Sequence, residues 1–153
     1  MKRMAVVPAP QQRGRCYRTR MTVHFGDVDC AGTVYYPHFL RYFHQAMEEF
    51  FRDALGLAYA RFLGEHRMGL PTVHLEVDFH RPLLYGDEIE VEVEVERVGR
   101  SSVHWRDRLY KVGEDALVAE SRRVTVNIDL DTLEKRQLPE WLREALEDYV
   151  APA

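Results

Sequence analysis

The chain has 153 residues, of which 46% are hydrophobic and 30% charged, so its composition predicts one folded domain and excludes a disordered or membrane-embedded chain. The formal net charge of -4 gives no reason to expect nucleic-acid binding, which normally shows as a strongly basic face. No apolar run approaches the roughly 20 residues that a membrane-spanning helix requires.

The first 14 residues predict a flexible leader and not an export signal, because their apolar centre, residues 4–7, is short and is followed by two prolines. The two cysteines, Cys16 and Cys30, are too few for a disulfide framework. We therefore expect reduced thiols, a cytoplasmic location and a single domain over residues 15–150.

The first strand is predicted over residues 16–25, which are rich in Tyr, Thr, Val and Phe. A turn-like segment, residues 26–32, follows. Pro37 suits the first turn of a helix, and apolar residues recur from there at three- and four-residue spacing as far as Ala54. This stripe covers more than half of the helix circumference, so the helix should be central, with other elements around it.

The remaining predicted elements are a short helix, four strands and a terminal helix: residues 57–65, 72–80, 88–96, 103–112, 116–129 and 141–150. In the third of these segments every second residue is a glutamate and the others are valine or isoleucine. That alternation predicts a strand with one dry face and one charged face. Because the long helix and the strands are segregated along the chain, the pattern indicates an α+β fold, with a sheet long enough to curl around the helix.

Two aspartates, Asp27 and Asp29, lie just before the long apolar helix. A capping turn is one interpretation, since Asp commonly satisfies backbone N–H groups in turns. The other interpretation is that the two aspartates belong to an active site. Exposed N–H groups at a helix start near Pro37 can bind a developing oxyanion, while a carboxylate attacks a carbonyl or deprotonates a water. Acyl transfer needs both parts, and this segment can supply them.

The segment FGDVDCAGTVYYPHF resembles the signature of the 4-hydroxybenzoyl-CoA thioesterase family, a group of hotdog-fold acyl-CoA thioesterases. The signature is met by Phe25, Asp27, Asp29, Ala31, Gly32, Val34, Tyr35, Tyr36 and Phe39. The order of elements over residues 15–130 also resembles the hotdog fold. The resemblance implies an α+β hotdog fold, in which a curved antiparallel sheet of about five strands wraps a long central helix. It also implies an enzyme that hydrolyses an acyl-CoA to a carboxylate and free coenzyme A.

The resemblance also implies roles for residues of the motif. Asp29 would attack the thioester carbonyl or activate a water, and the backbone N–H of Tyr36 would polarise that carbonyl. Asp27 is a substrate-site candidate for which bracing of the loop is the favoured role. Gly32 would allow a close backbone approach or a positive φ angle.

Other candidates would contact the substrate directly. Tyr35 and His38 lie beside the helix start. In the family, the hairpin after the glutamate-rich strand lies near the nucleotide of coenzyme A. The resemblance therefore implies that Arg100, together with Ser101, binds phosphate, for which the guanidinium fork is suited. An ordinary solvated hairpin is the other interpretation of these two residues.

Two positions depart from the aryl-specific members of the family. Cys30 lies where many of them have proline or alanine, and Tyr35 lies where the hydroxybenzoyl enzyme has tryptophan. These departures leave the acyl group open, as either an aryl or a short-chain group. Cys30 is also an alternative nucleophile, because a helix start favours a thiolate, although Cys is equally common as a small buried residue.

The resemblance implies a reaction without a metal or an organic cofactor, and a homo-oligomer, a dimer of dimers, with its sites at the subunit interface. The spacing of the histidines matches no metal-binding helix. A second hypothesis is a hotdog module that binds acyl-CoA or acyl-carrier protein without turnover, although the intact Asp29 argues against it. A third and weaker hypothesis is a hotdog dehydratase, because the histidine–carboxylate motif of those enzymes is not found in this sequence.

Overall fold

A computed structural model describes residues 16–150, and the predicted leader, residues 1–14, lies outside them. In chain order the elements are β1 (Tyr17–Thr22), a 3-10 turn (Phe25–Asp27), α1 (Pro37–Asp53), α2 (Tyr59–Gly64), β2 (Met68–Gly69), β3 (Thr72–Phe79), β4 (Glu88–Val98), β5 (Ser102–Lys111), β6 (Leu117–Val126), β7 (Ile128–Asp129) and α3 (Glu140–Glu147). None of the helices in this described part has the length and hydropathy that a membrane span requires.

Five strands form one antiparallel sheet in the order β1-β4-β5-β6-β3, so the predicted α+β architecture of about five strands is confirmed. A second sheet, β2-β7, was not predicted, because strands of two residues are too short to show a periodic pattern. It divides the strand that the sequence predicts over residues 116–129. The division falls at Asn127, which is fully buried between β6 and β7.

The long helix α1 packs across one face of the sheet, here called the inner face. Its buried residues are Phe39, Tyr42, Phe43, Ala46, Met47, Phe50 and Phe51, which are the stripe that the sequence predicts. The isoleucine and valines of β4, from Ile89 to Val95, are fully buried on the same face. The core therefore lies between one helix and one sheet, as the width of the apolar stripe indicates.

The outer face of the sheet carries the glutamates of β4, and these are paired with arginines on both neighbouring strands. The Arg18 guanidinium lies 2.8 Å from the Glu92 carboxylate, and Arg108 lies 3.6 Å from Glu92 and 3.5 Å from Glu94. Only 9% of the Glu92 surface is exposed. The face predicted as charged and wet is therefore a lattice of cross-strand ion pairs that cover one another.

The loop between β1 and α1 is fixed to the segment that leads into β4. The Val23 N–H donates to the Asp87 carbonyl (2.9 Å), and the Val34 N–H donates to the Leu83 carbonyl (2.9 Å). This loop therefore lies where β1 ends and β4 begins, which we call the loop end of the sheet. The opposite end, where residues 99–101 connect β4 to β5, is called the hairpin end.

Candidate active site

Asp29 lies at the tip of a tight turn, residues 28–34, called here the Asp29 turn. Its N–H donates to the Thr33 carbonyl (3.0 Å), and its carbonyl accepts the N–H of Gly32 (2.9 Å). Gly32 has a φ of +82°, a conformation that strains any residue with a Cβ and one of the two possibilities stated above for this glycine. The Ala31 N–H holds the Oδ1 atom of Asp29 at 2.8 Å, and the carboxylate is exposed. The turn therefore presents a fixed carboxylate to the outside.

Asp27, two residues earlier, is buried, and both of its carboxylate oxygens and its backbone carbonyl have partners. Its Oδ2 atom accepts the N–H of His24 (3.0 Å) and the hydroxyl of Tyr42 (2.8 Å), and its Oδ1 atom forms an ion pair with Arg41. Its carbonyl accepts the Tyr35 N–H (2.9 Å). Burial alone would raise the pKa of Asp27, but the His24 N–H, the Tyr42 hydroxyl and the Arg41 guanidinium outweigh it and hold that pKa below its usual value. These contacts support the bracing role.

The start of α1 leaves one backbone amide available. Pro37 has no N–H, and the N–H groups of His38 and Phe39 donate to the carbonyls of Tyr35 (2.9 Å) and Tyr36 (3.1 Å). The N–H of Tyr36 itself has no acceptor among residues 16–150. An unpaired amide at a helix start can stabilise an oxyanion, both by donating a hydrogen bond and through the helix dipole.

An open groove of about 340 Å³ lies beside this amide. It is lined by Val34, Tyr36, Phe39, Phe79, His80, Arg81 and Pro82. The rings of Phe39 and Phe79 meet edge to face with their centroids 5.1 Å apart. The groove therefore offers an aromatic surface next to a hydrogen-bond donor, which suits an apolar group attached to a polar carbonyl.

Residues 23–146 match the thioesterase-like superfamily. The chain belongs to this superfamily. The 1,4-dihydroxy-2-naphthoyl-CoA hydrolase of Synechococcus elongatus is 31% identical over 132 residues, covering 86% of this chain and 95% of that protein. The hydrolase of the same name from Thermosynechococcus vestitus is 30% identical over 135 residues, covering 83% of this chain and 88% of the relative.

Solved structures of thioesterases superpose on most of this chain. A 1,4-dihydroxy-2-naphthoyl-CoA thioesterase from Synechocystis superposes with a TM-score of 0.79 at 25% identity, covering 88% of this chain and 97% of that one. A gentisyl-coenzyme A thioesterase superposes with a TM-score of 0.72 at 26% identity, and the match covers 84% of this chain and 99% of that one. The predicted family, the hotdog fold and the thioesterase class are thereby confirmed.

The structure brings most of the predicted site residues of this thioesterase into one neighbourhood. Tyr35 and Tyr36 are 48% and 62% exposed, and the Tyr35 ring packs edge-on against Tyr36 at 5.3 Å and His38 at 6.1 Å. Cys30 is exposed beside Asp29, so it is not a small buried residue within the chain. The motif residues thus surround the start of α1.

Arg100 and Ser101 lie elsewhere, at the hairpin end. The 11 residues of β4 separate the two ends of the sheet, which corresponds to roughly 35 Å at ~3.3 Å per residue. The structure therefore does not bring these two residues together with Asp29 in one chain. Their proposed contact with phosphate stays a prediction.

Sequence reasoning missed two parts of the site. The apolar stripe identifies Tyr42 only as a core residue, although a buried tyrosine hydroxyl usually has a hydrogen-bond partner, and that signal could have connected it to Asp27. Residues 79–82 line the groove from the far end of β3, about 40 residues along the chain from the motif. Nothing in a single sequence shows that contact.

A larger groove, of about 490 Å³, lies along the exposed side of α1. Its lining includes Arg41, Glu48, Glu49 and Arg52, which are charged. None of the residues of the motif from Phe25 to Phe39 lines it. The smaller groove at the start of α1 is therefore the candidate active site.

Proposed function

We propose that this chain hydrolyses an aryl-CoA thioester to the aryl carboxylate and free coenzyme A, at the site formed by Asp29 and the start of α1. One observation carries the proposal: a fixed, exposed carboxylate and an unpaired backbone amide, that of Tyr36, lie in one short loop beside an aromatic groove. Relatives with 1,4-dihydroxy-2-naphthoyl-CoA in their names support an aryl substrate over a short-chain one.

In the reaction that we propose, the thioester oxygen accepts a hydrogen bond from the Tyr36 N–H. Asp29 takes a proton from a water molecule while the water oxygen bonds to the carbonyl carbon. The resulting oxyanion is stabilised by the amide and by the positive end of the α1 dipole. When the carbon–sulfur bond breaks, the thiolate of coenzyme A receives the proton.

A covalent route uses the same atoms. The Asp29 carboxylate bonds directly to the carbonyl carbon and expels the thiolate, and water then hydrolyses the mixed anhydride that forms. Both routes use only a side chain and a backbone amide of this chain, so we propose a reaction without a metal or an organic cofactor. Gly32 serves both routes by allowing the turn that holds Asp29.

The acyl group would occupy the groove beside the start of α1. Phe39 and Phe79 provide an edge-to-face pair on which an aromatic ring can pack, and Val34 adds apolar surface. The rings of Tyr35 and His38 pack against each other on either side of Tyr36 in the sequence, and we propose that they contact the polar part of the substrate. The aromatic floor is the feature that distinguishes an aryl-binding groove from a narrow aliphatic channel.

We also propose a homo-oligomer in which two copies of β3 pair edge to edge. The His80 N–H donates to the Val118 carbonyl, so alternation along β3 leaves the backbone groups of Leu75, Val77 and Phe79 directed at the free edge. Val73, Leu75 and Phe79 are 62%, 40% and 47% exposed. An exposed apolar edge strand is a template for pairing. The dimer of dimers and the cytoplasmic location stay predictions.

A free-thiol release assay over a panel of acyl-CoA esters tests the proposal. The panel contains benzoyl-CoA, hydroxylated naphthoyl-CoA, acetyl-CoA and butyryl-CoA, together with the same acyl groups on acyl-carrier protein. We expect the aryl-CoA esters to be hydrolysed with the highest kcat/KM. Preference for a short-chain ester would contradict the aryl substrate. Tight binding of one ester without turnover of any would support the binding module instead.

A further inference from the structure

One ion pair of this molecule is buried in the core between α1 and the sheet. The side chains of Arg123 on β6 and Asp107 on β5 are 6% and 0% exposed, and the Nε atom of Arg123 donates to the Oδ2 atom of Asp107 at 2.8 Å. No other ion pair among residues 16–150 has both of its side chains this deeply buried. Ser121, which is also fully buried, donates its hydroxyl to the same oxygen (3.0 Å). A charged cluster therefore lies inside the apolar core.

Stability alone does not account for this pair. Removing both charges from water is costly, and their attraction inside the core repays that cost only in part. Well-packed apolar residues of similar volume commonly stabilise a core as much as a buried ion pair does, or more. What the ion pair adds is direction, because its hydrogen bonds hold only over a narrow range of distances and angles, whereas apolar contacts tolerate small shifts. Such a pair has its advantage where two elements must keep one spacing.

Arg123 connects the sheet to the long helix. Its Nη1 atom lies 3.2 Å from the Sδ atom of Met47, a buried residue of α1. The guanidinium also lies over the ring of Trp105, with 4.9 Å between its central carbon and the ring centroid. The Trp105 ring is itself fixed, because its Nε1 atom donates to the hydroxyl of Thr125 (2.9 Å). The guanidinium is therefore held on the sheet by Asp107 and Trp105, and it contacts the helix through Met47.

Arg123 lies on the side of α1 where the candidate active site is. On the inner face of the sheet it is directly opposite Leu75 of the edge strand β3, and Phe79 of the same strand lines the groove at the start of α1. Leu75 and Phe79 are 40% and 47% exposed, so α1 leaves much of the inner face of β3 uncovered. The groove therefore lies between α1 and β3, and its width depends on where the helix rests on the sheet.

The helix runs along this gap. Phe39 contacts Phe79 at one end, and Met47 contacts Arg123 at the other. The helix rises roughly 12 Å from Phe39 to Met47 at ~1.5 Å per residue. The strand rises roughly 13 Å from Phe79 to Leu75, the neighbour of Arg123, at ~3.3 Å per residue. Because the two lengths match, α1 lies nearly parallel to the strand, and a displacement at one contact is carried along the helix to the other.

Other polar contacts fix α1 to the opposite edge of the sheet. Glu49 and Asp53 of the helix accept hydroxyl hydrogen bonds from Thr19 and Tyr17 of β1, which is the edge strand farthest from β3. In the part of the chain that the structure describes, no side chain of β3, β5 or β6 other than Arg123 forms a hydrogen bond with α1. The β1 side of the helix is therefore fixed by two hydroxyls, and the groove side is fixed by Arg123.

We propose that the buried pair of Arg123 and Asp107 sets the spacing between α1 and the sheet, and with it the width of the groove and the place of the Tyr36 amide. The inference rests on the proposed function, in which that groove holds an aryl group. The helix carries a displacement at Met47 to its first residues, and an error of about 1 Å in the placement of a reacting group can lower a rate roughly 100-fold. Both charged residues are positioning residues, which act on the substrate through α1.

A double variant separates this role from a contribution to stability. Asp107→Leu with Arg123→Met replaces the pair by two apolar side chains and leaves no unpaired charge in the core. We expect its Tm to stay close to that of the wild type, whereas each single substitution should lower Tm by about 10 °C. The stable double variant should nevertheless lose about tenfold in kcat/KM for hydroxylated naphthoyl-CoA, and less for the smaller benzoyl-CoA. The ratio of the two kcat/KM values is the decisive measurement.

Leu142→Ala serves as the matched control. Leu142 is fully buried in α3, which packs against β4, so this variant should lose stability without changing the ratio between the two esters. Wild-type kcat/KM values for both esters in the double variant would show a structural contact only and would overturn the inference. If the double variant did not fold, Met47→Leu would decide, because it removes the sulfur contact and keeps the ion pair. We expect it to change the ratio about twofold, and an unchanged ratio would contradict the inference.

Crystal structures of the wild type and the double variant test the geometry without a substrate. We expect α1 to move by about 1 Å at Met47, because the guanidinium that separates it from the sheet is gone. The centroid separation of the Phe39 and Phe79 rings, 5.1 Å in the wild type, should change with it. An unmoved helix would overturn the inference whatever the activity. Absence of turnover by the wild-type protein would contradict the proposed function instead, and the comparison of the two structures would still decide whether the pair positions α1.

Discussion

The loop between β1 and α1 contains two aspartates with opposite environments, although only Val28 separates them. Asp27 is 7% exposed and binds a backbone amide, a tyrosine hydroxyl and a guanidinium. Asp29 is exposed, and within the described part of the chain its side chain accepts one hydrogen bond, from the Ala31 N–H. Both oxygens of the Asp27 carboxylate have partners, whereas the Oδ2 atom of Asp29 has none among residues 16–150.

This difference arises from the direction of the chain and not from residue type. The 3-10 turn ends at Asp27 and directs its side chain toward α1, where Arg41 and Tyr42 lie on neighbouring positions. The chain then reverses in the Asp29 turn, which Gly32 makes possible. One carboxylate is therefore held inside the loop by its partners, and the other is exposed, as the proposed reaction requires.

Replacing Asp29 should have the largest effect on activity and almost none on folding. Asp29→Asn removes the proposed nucleophile or general base, so we expect kcat/KM to fall by about 10²–10⁴-fold. The melting temperature should stay close to that of the wild-type protein, because the Ala31 N–H can still bind the side-chain oxygen of the introduced asparagine. Thiol release and thermal unfolding measure the two quantities. Substantial activity in this variant would mean that another group performs the reaction.

Replacing Asp27 should show the reverse pattern. Asp27→Asn leaves Arg41 without its ion pair and weakens the bond to Tyr42, so we expect a loss of about 2–3 kcal/mol in the free energy of unfolding. For a chain of this size that corresponds to a decrease of roughly 5–10 °C in Tm. Urea unfolding measures the loss, and Tyr42→Phe, which removes one hydrogen bond, should cost about 1 kcal/mol. If Asp27→Asn were as stable as the wild type, the carboxylate would not brace the loop.

The same contrast predicts a pH dependence of stability that involves Asp27 and Tyr42. Because the pKa of Asp27 is lower in the folded chain than its ordinary value of 3.8, its contribution is complete above about pH 4 and is lost as the pH falls through the folded pKa. Burial and the neighbouring Asp27 raise the pKa of Tyr42 above its ordinary value of 10.0. The hydroxyl's contribution is therefore complete below pH 10 and is lost as the pH rises further.

The free energy of unfolding, measured for the wild type and both variants between pH 3 and pH 11, tests the acidic part of this dependence (Asp27) and the alkaline part (Tyr42). We expect the difference between wild type and Asp27→Asn to shrink below about pH 4, and the difference between wild type and Tyr42→Phe to shrink above about pH 10. A difference that stays constant over the whole range would show that neither group titrates differently in the folded and unfolded chains.

Local patterns were sufficient to predict most of the fold. The apolar stripe that begins at Pro37 and the alternation from Glu88 onward each report one face of one element, which a single sequence contains. The two-residue strands β2 and β7 could not be predicted, because pairing between segments about 60 residues apart leaves no periodic signal in either. The predicted strand over residues 116–129 was too long for the same reason.

The candidate site was predictable only where it is contiguous. The motif from Phe25 to Phe39 contains the carboxylate, the glycine and the helix start in one stretch, so its resemblance to the family signature could propose them together. Phe79 and Arg41 depend on how β3 and α1 are arranged in space, and the sequence has no signal for either contact. The separation between Asp29 and Arg100 likewise follows from strand order, which residue spacing does not determine.

The smallest expected effect concerns Cys30, which lies directly after Asp29 and is exposed in the chain. If the carboxylate performs the reaction, Cys30→Ser should keep kcat/KM within about twofold of the wild type, because serine retains the size of the side chain and removes only the thiol. Alkylation of the wild type with iodoacetamide provides a second measurement. Retained activity in Cys30→Ser, with inhibition of the wild type by the bulky adduct, places the thiol beside the substrate without a chemical role. Loss of activity in Cys30→Ser, together with an active Asp29→Asn, would reverse the assignment and make the loop's reactive group a thiolate.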